Sequence, residues 1–168
     1  EQAVRVGHTY LQTQCLIYLT VVYRKLGQVK EAADYALRSL EAATAVQNPA
    51  YIGAAQANLA WVAWKEANLT EALEKGKAAL EPWQQSDTGF MFQWLALCPL
   101  IGVALAHYHI AEAVDYARSL LEPAQQALPD SLEMSLEGAI EAWEGGEPEA
   151  ARTRFDRAME LAQEMGYL

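Results

Sequence analysis

Apolar side chains recur every three or four positions along most of the chain, the spacing that places them on one face of an α-helix. Over residues 16–40 this pattern forms two amphipathic segments that meet at Gly27. The predicted apolar faces are Leu16, Leu19, Tyr23 and Leu26 on the first segment and Ala32, Ala36, Leu40 and Ala43 on the second. Two helices alone leave one face of the pair open, so we expect further copies of the pair to stack against it.

The same helix pair recurs along the chain. Ala32, near the start of the second helix, is matched by Ala72, Ala113 and Ala151, at intervals of 40, 41 and 38 residues. Alternating runs of Val, Ile and Thr, which are typical of strands, are missing. We therefore predict an all-α fold in which one domain spans residues 1–168. Its four helix–turn–helix repeats are predicted at about 4–48, 49–87, 88–130 and 131–168.

Turn and capping residues set the predicted ends of the helices. Asn68 and Glu71 have the spacing of a capping box, and Gly146 followed by Pro148 suits a helix end and a helix start. Pro99 falls inside a helical segment, where it is predicted to kink or split the helix. The predicted helices are 4–26, 29–46, 49–67, 69–81, 88–108, 110–127, 131–144 and 148–165.

Composition and charge narrow the range of partners. The formal net charge of −10 argues against nucleic acid or an anionic membrane as the partner of this segment. Residues 131–168 carry nine acidic and three basic side chains, either as a solvated face or as a surface that docks on a basic partner. Cys15 and Cys98 are predicted to be buried thiols, which suits a cytoplasmic protein. The chain begins at Glu1 without Met, and we expect it to be part of a larger protein.

Motifs that carry chemistry are missing from the sequence. It has no glycine-rich phosphate loop and no HExxH or paired-cysteine metal signature. His107 and His109 are two positions apart, a spacing that on one helix points them to different faces. A carboxylate stripe, which we interpret as a solvated helix face, is formed by Glu133, Glu137, Glu141 and Glu144. The sequence therefore predicts no enzyme activity, no metal and no cofactor.

The repeats resemble tetratricopeptide repeats, in which an aromatic residue precedes a glycine turn and Glu-Ala opens the second helix. The first repeat matches this pattern at Tyr23, Gly27 and Glu31-Ala32. The third departs most, with Tyr108 at its turn. The resemblance covers the whole chain and implies a right-handed α–α superhelix. Repeats of about 40 residues are also similar to the C-terminal helical arrays of bacterial signalling ATPases, cyclase-linked ATPases and transcriptional regulators.

The resemblance also implies that the first helix of each repeat lines a concave face. Trp61 and Trp64 on this face have two interpretations, as an anchor for a peptide or apolar ligand or as rings packed between repeats. Phe90, Phe92 and Trp94 are assigned to the core. The residues predicted to bind a partner or ligand are Val21, Arg24, Lys25, Trp61, Trp64, Lys65, Leu105, Ile140 and Trp143.

Two functions are consistent with these features. The first is a non-enzymatic scaffold or regulatory module that binds a protein or peptide, including other domains of its own chain, in a larger cytoplasmic bacterial signalling or transcription-regulatory protein. The alternative is a small-molecule sensor that holds a ligand in the concave groove and switches an attached ATPase. The apolar stripe around Phe155 on the last helix either completes the core of the fourth repeat or receives further chain or a second subunit, which would make a homo-oligomer.

Overall fold

A computed structural model describes the backbone of residues 2–85 and 90–168, with side chains from residue 9 onward within those ranges. Neighbouring helices pack against each other in chain order, and the predicted all-α fold is confirmed. The predicted repeat boundary at 87/88 lies outside the described residues. Within the described ranges there are eight helices, α1 (Gln2–Lys25), α2 (Val29–Ala45), α3 (Pro49–Lys65), α4 (Leu69–Gln84), α5 (Trp94–Ala106), α6 (Ile110–Leu120), α7 (Asp130–Glu144) and α8 (Pro148–Glu164).

The turn inside each hairpin has the same backbone geometry. Gly27, Ala67, Tyr108 and Gly146 have φ between 58° and 76°, and they follow one another at the intervals of 40, 41 and 38 residues seen in the sequence. In all four turns the amide of the next residue donates to the carbonyl oxygen five positions back, at 2.8–2.9 Å. This is the Schellman arrangement that ends many helices. The turns therefore repeat even where glycine is replaced.

The buried face of α1 differs from the predicted one. Leu19 and Leu26 are exposed, while Thr13, Thr20 and Arg24 are buried with Leu16 and Ile17. The two threonine hydroxyls donate to helix carbonyls one turn back at 2.8 Å, so their burial leaves no donor unpaired. On α2 the predicted face is largely confirmed, since its alanines are buried although Leu40 is only half-buried.

The third hairpin is shorter than predicted at both ends. Helix α5 begins at Trp94 and not at 88, which lies outside the described residues, and α6 ends at Leu120 and not at 127. The segment after α6 instead returns to the start of α5, where the Gln126 amide donates to the carbonyl oxygen of Met91 at 2.9 Å. This return segment contains Pro123, which cannot donate to a helix ladder.

Pro99 does not split α5, which is assigned as helix from Trp94 to Ala106. Proline lacks the amide hydrogen that would serve the carbonyl of Leu95, one turn back. The guanidinium of Arg24 replaces this missing donor, because its Nη1 donates to the carbonyl oxygen of Leu95 at 3.2 Å. A side chain from α1 therefore supports the proline position of α5.

The fourth hairpin joins the array differently from the others. Helix α8, and not α7, packs against α5, and Nη1 of Arg152 donates to the carbonyl oxygen of Leu105 at 2.6 Å. Phe155 and the alanines of its stripe are fully buried. The stripe thus completes the core of the fourth repeat, and no part of the Phe155 ring is left for a second subunit.

The two cysteines differ in environment. Cys98 is buried as predicted, but Cys15 is exposed, so the expectation of two buried thiols is wrong. Cys15 lies on an outer face of α1 that no other described helix covers. Among the described helices, none is long and apolar enough to cross a bilayer.

Candidate functional site

A cavity of about 370 Å³ opens between α1, α3 and the start of α5. The side of α1 that faces it follows helical spacing, with positions 14, 17, 18, 21 and 25 on one face. Helix α3, the start of α5 and the segments just before α5 and after α6 supply the rest. The described lining residues are Gln14, Ile17, Tyr18, Val21, Lys25, Tyr51, Ala54, Phe90, Phe92, Trp94, Leu95 and Gln126.

Stacked aromatic rings fix one wall of the cavity. Phe90 stacks on the buried Trp83 ring with centroids 4.5 Å apart, and Phe92 meets Phe90 edge-on at 5.7 Å. The Trp94 indole Nε1 donates to Oε1 of Gln126 at 3.1 Å. Because each ring is held by a neighbour or a hydrogen bond, this wall is preformed.

Polar groups at the cavity are few. Lys25 is the only charged residue in its described lining. Burial raises the pKa of Tyr51 to about 12, with a further contribution from a hydrogen bond with Tyr10, so the Tyr51 phenol is neutral at ordinary pH. The Tyr10 and Tyr51 rings are 5.0 Å apart. The lining therefore offers an apolar surface with a cation and hydroxyl groups near its edge.

Arg24 lies behind Trp94 and Leu95 of the cavity lining, with 2% of its surface exposed. Besides Leu95, its guanidinium donates to Oδ1 of Asn58 at 2.9 Å and to the carbonyl oxygen of Tyr167 at 3.3 Å. Burial lowers the pKa of Arg24 to about 9. Its Nε and the Nδ2 of Asn58 have no hydrogen-bond partner in the described part of the chain. Arg24 thus links α1, α3, α5 and the segment after α8 through neutral oxygens.

Some of the predicted site residues line the cavity, and others lie at the buried Trp61 ring. Val21 and Lys25 line the cavity. Arg24 and Lys65 both lie over the Trp61 ring, at 5.2 and 5.6 Å from its centroid, but Trp61 is buried in the core. For Trp61 the packing interpretation therefore holds.

The remaining predicted residues lie away from the cavity. Trp64 is half-buried and packs over Gly102, where a Cβ atom would lie 2.9 Å from the ring. Leu105 is buried, and Ile140 and Trp143 are half-buried on α7. None of the four is among the described lining residues.

Sequence reasoning missed the cavity that these aromatic residues line. As predicted, Trp94 is buried in the core and Phe90 and Phe92 pack against it, but all three also line the cavity, as do Tyr18 and Tyr51. A signal was present in the sequence. Phe90, Phe92 and Trp94 alternate in a stretch that has no helical apolar spacing, which is unusual for a buried helix start.

A second polar cluster lies on the outer surface between α4 and α6. The Tyr116 hydroxyl donates to Oε1 of Glu112 at 2.8 Å and Lys77 Nζ lies 3.2 Å from the same oxygen, and these contacts lower the pKa of Glu112. His109 Nδ1 is 3.6 Å from the other carboxylate oxygen. This network ties two hairpins together. No group of three or more His, Cys, Asp or Glu suited to a metal ion occurs among the described residues.

Comparisons with family models, curated proteins and solved structures give no match for this chain. The resemblance to tetratricopeptide repeats therefore stays a prediction from the residues. The fold and the cavity define the chain as an all-α helical repeat array with an aromatic pocket on the side lined by α1, α3 and α5.

Proposed function

We propose that the chain is a non-enzymatic binding module that holds an apolar side chain of a protein or peptide in the aromatic cavity. The observation that carries this proposal is the preformed wall of Phe90, Phe92 and Trp94 around a volume of about 370 Å³. Anchor side chains that fill such pockets supply most of the binding energy of many protein interfaces.

Exposed aromatic rings at the edge of the cavity favour a protein or peptide over a fully enclosed ligand. Tyr18 lines the cavity while 57% of its surface is exposed, and Tyr10, 42% exposed, packs on Tyr51. Tyrosine is enriched in protein interfaces because it combines a large apolar ring with a hydroxyl group. A partner that places one side chain in the cavity would cover these rings with its neighbouring residues.

Peptide selection on three matched proteins tests the proposal. A random peptide library is selected on the parent, and the enriched peptides are measured on Val21→Trp, which fills the cavity, and on Val22→Trp, which adds the same ring on an exposed face one residue away. We expect Val21→Trp to weaken binding about thirtyfold, the loss of an anchor worth about 2 kcal/mol. Val22→Trp should bind as the parent does. Equal binding to the parent and Val21→Trp would overturn the proposal.

A small-molecule sensor is the second candidate, because the cavity volume falls in the range of small-ligand pockets. A ligand at a hundredfold excess over its dissociation constant would stabilise the fold by about 2.7 kcal/mol. A ligand library screened by melting shift on the parent and on Val21→Trp tests this candidate. Ligands that shift the parent but not Val21→Trp would favour it over the peptide proposal.

The wider role that we propose, a module of a larger cytoplasmic signalling or transcription-regulatory protein, depends on the resemblance of the repeats. Its test is the reading frame that encodes these residues. An ATPase, cyclase or DNA-binding domain in the same frame would support this role, and a frame that encodes repeats alone would contradict it.

A further inference from the structure

Helix α1 carries an exposed apolar stripe on a different side from the cavity. Its members are spaced at i, i+4, i+8, i+11 and i+15, so they share one helix face. Leu11, Leu19, Val22 and Leu26 have 40–63% of their surface exposed, and Cys15 is exposed between them. The α1 stripe is Leu11, Cys15, Leu19, Val22 and Leu26.

The centre of the α1 stripe occupies the same register as buried faces of α3 and α5. The turn positions Gly27, Ala67 and Tyr108 relate the three helices by shifts of 40 and 81 residues. The residues that correspond to Cys15, Leu19 and Val22 are buried, except Leu59, which is half-buried. At the two ends of the stripe the register gives no buried face, because Leu11 corresponds to half-buried residues and Leu26 to the exposed C-cap residues of α3 and α5. The corresponding sets are Cys15, Ala55 and Ala96; Leu19, Leu59 and Leu100; and Val22, Val62 and Val103.

These faces of α3 and α5 meet the second helix of the preceding hairpin, since α3 packs on α2 and α5 packs on α4. Small residues on those second helices make the contact close. A Cβ atom added at Gly76 of α4 would lie 2.7 Å from Cδ2 of Leu100, which corresponds to Leu19 of the α1 stripe. The α1 stripe thus has the shape that fits a helix with alanine or glycine along one face.

Charge is compatible with the same kind of partner. Helix α1 contains no Asp or Glu, whereas α2 and α4 each carry three acidic and two basic side chains, for a net charge of −1. A second helix of this kind would therefore meet no carboxylate of α1. A second copy of this chain offers no free helix of this type, because the small-residue faces of α2 and α4 are already buried.

We propose that the α1 stripe is the docking surface for another helical hairpin, from outside these 168 residues. The second helix of that hairpin lies along Cys15, Leu19 and Val22 with a face of alanine and glycine, as α2 lies along α3. This interaction surface is separate from the cavity, and the proposal does not depend on what the cavity binds.

An internal duplication provides the docking hairpin in a known form. A copy of residues 9–48 is inserted between residues 8 and 9, so that the added second helix precedes the original α1 as α2 precedes α3. The inserted copy is called the outer copy and the original hairpin the inner copy. In the test protein the outer Cys15 is replaced by Ser, and the reaction rate of the inner Cys15 with a thiol reagent is measured. In the matched control the inner Cys15 is replaced by Ser and the outer Cys15 is measured. Cys98 is buried and stays unreactive in the folded protein.

We expect the inner Cys15 to react at least about tenfold more slowly than the outer one, because covered groups react only through local opening. Val22→Glu in the inner copy should restore fast labelling. Equal rates for the two thiols would overturn the proposal. So would a duplicated chain that melts below the parent, since a fitting repeat adds a packed interface. Protection of Cys15 in the parent that grows with protein concentration would identify a second copy as the occupant and overturn it as well.

Discussion

Gly53 is the position where a single methyl group should have the clearest effect on stability. A Cβ atom there would lie 2.6 Å from Nε1 and 2.7 Å from Cε2 of Trp83, and 2.9 Å from the carbonyl oxygen of Ala79. Trp83 is buried, and its Nε1 donates to the carbonyl oxygen of Ala50 at 3.0 Å. The ring also supports Phe90 in the cavity wall. Gly53→Ala must therefore move either a buried indole or the backbone of α4.

The magnitude follows from three contributions to the free energy of unfolding. Overpacking of a buried site costs about 1–3 kcal/mol. Loss of the Trp83 hydrogen bond costs about 0.5–1.5 kcal/mol. Replacement of glycine by alanine inside a helix returns about 1 kcal/mol. We therefore expect Gly53→Ala to destabilise the fold by about 2 kcal/mol, which for a chain of this size lowers Tm by about 4–8 °C.

Gly138→Ala is the matched control, because a Cβ atom at Gly138 would also meet an atom at 2.6 Å. That atom is Nη1 of Arg154, which donates to the carbonyl oxygen of Gly138 at 2.9 Å and is the far end of an exposed, flexible side chain. Urea unfolding should show Gly138→Ala within about 1 kcal/mol of the parent, since helix propensity offsets the loss of this hydrogen bond. Addition of Trp83→Leu should reduce the cost of Gly53→Ala without abolishing it, because the Cβ atom would still lie 2.9 Å from the carbonyl oxygen of Ala79. If Gly53→Ala is as stable as Gly138→Ala, the close packing of α3 on α4 is not as described.

Three further predictions concern a helix cap, the fourth hairpin and the thiols. Asn68→Ala removes the side-chain acceptor of the Glu71 amide and should cost about 1 kcal/mol in urea unfolding. Phe155→Ala should cost about 3–5 kcal/mol without changing the mass measured by light scattering, because the ring is buried within one chain. Burial raises the pKa of the Cys98 thiol from 9.0 to about 12. Because the thiol ionises at lower pH in the unfolded chain, its contribution to the free energy of unfolding is retained below pH 9 and lost as the pH rises towards 12. When the pH is raised from 9 to 10.5, the free energy of unfolding should therefore fall by about 2 kcal/mol less in Cys98→Ala than in the parent.

The repeat period was predictable because the turns favour glycine and the second helices place alanine at a fixed distance after them. Gly27 and Gly146 mark two turns directly, and the Ala spacing of the second helices locates the other two. Ala67 and Tyr108 hold the same positive φ without glycine, which costs about 1–2 kcal/mol each and is offset by packing of the flanking helices. Helix number and most helix ends follow from this period.

Prediction from the sequence fails where one sequence motif adopts two different structures. The motif Leu-Glu-Pro-x-Gln-Gln ends helix α4 at 80–85 but forms a non-helical return segment at 121–126. In the second copy the glutamines bind the start of α5, where the Gln93 amide donates to Oε1 of Gln125 at 3.2 Å. The two copies differ at the x position, where the first has Trp83, whose buried indole donates to the carbonyl oxygen of Ala50, and the second has Ala124. The consequence of this difference depends on distant partner groups. The return segment, which brings Gln126 to the cavity, was therefore not predicted.

Arg24 explains why the cavity, and not the surface beside Trp61, is the proposed binding site. Its guanidinium lies between the Trp61 and Trp94 rings, at 5.2 and 5.3 Å from their centroids, and Tyr167 packs edge-on against Trp94 at 4.8 Å. These side chains fill the space around Trp61, behind the cavity, and leave no room there for an extended peptide. The open surfaces on α1 are then the cavity and the α1 stripe, two faces of one helix whose third face holds Arg24. Residues 21 and 22, adjacent in sequence, lie on different open faces, so their substitutions separate the two surfaces in experiments.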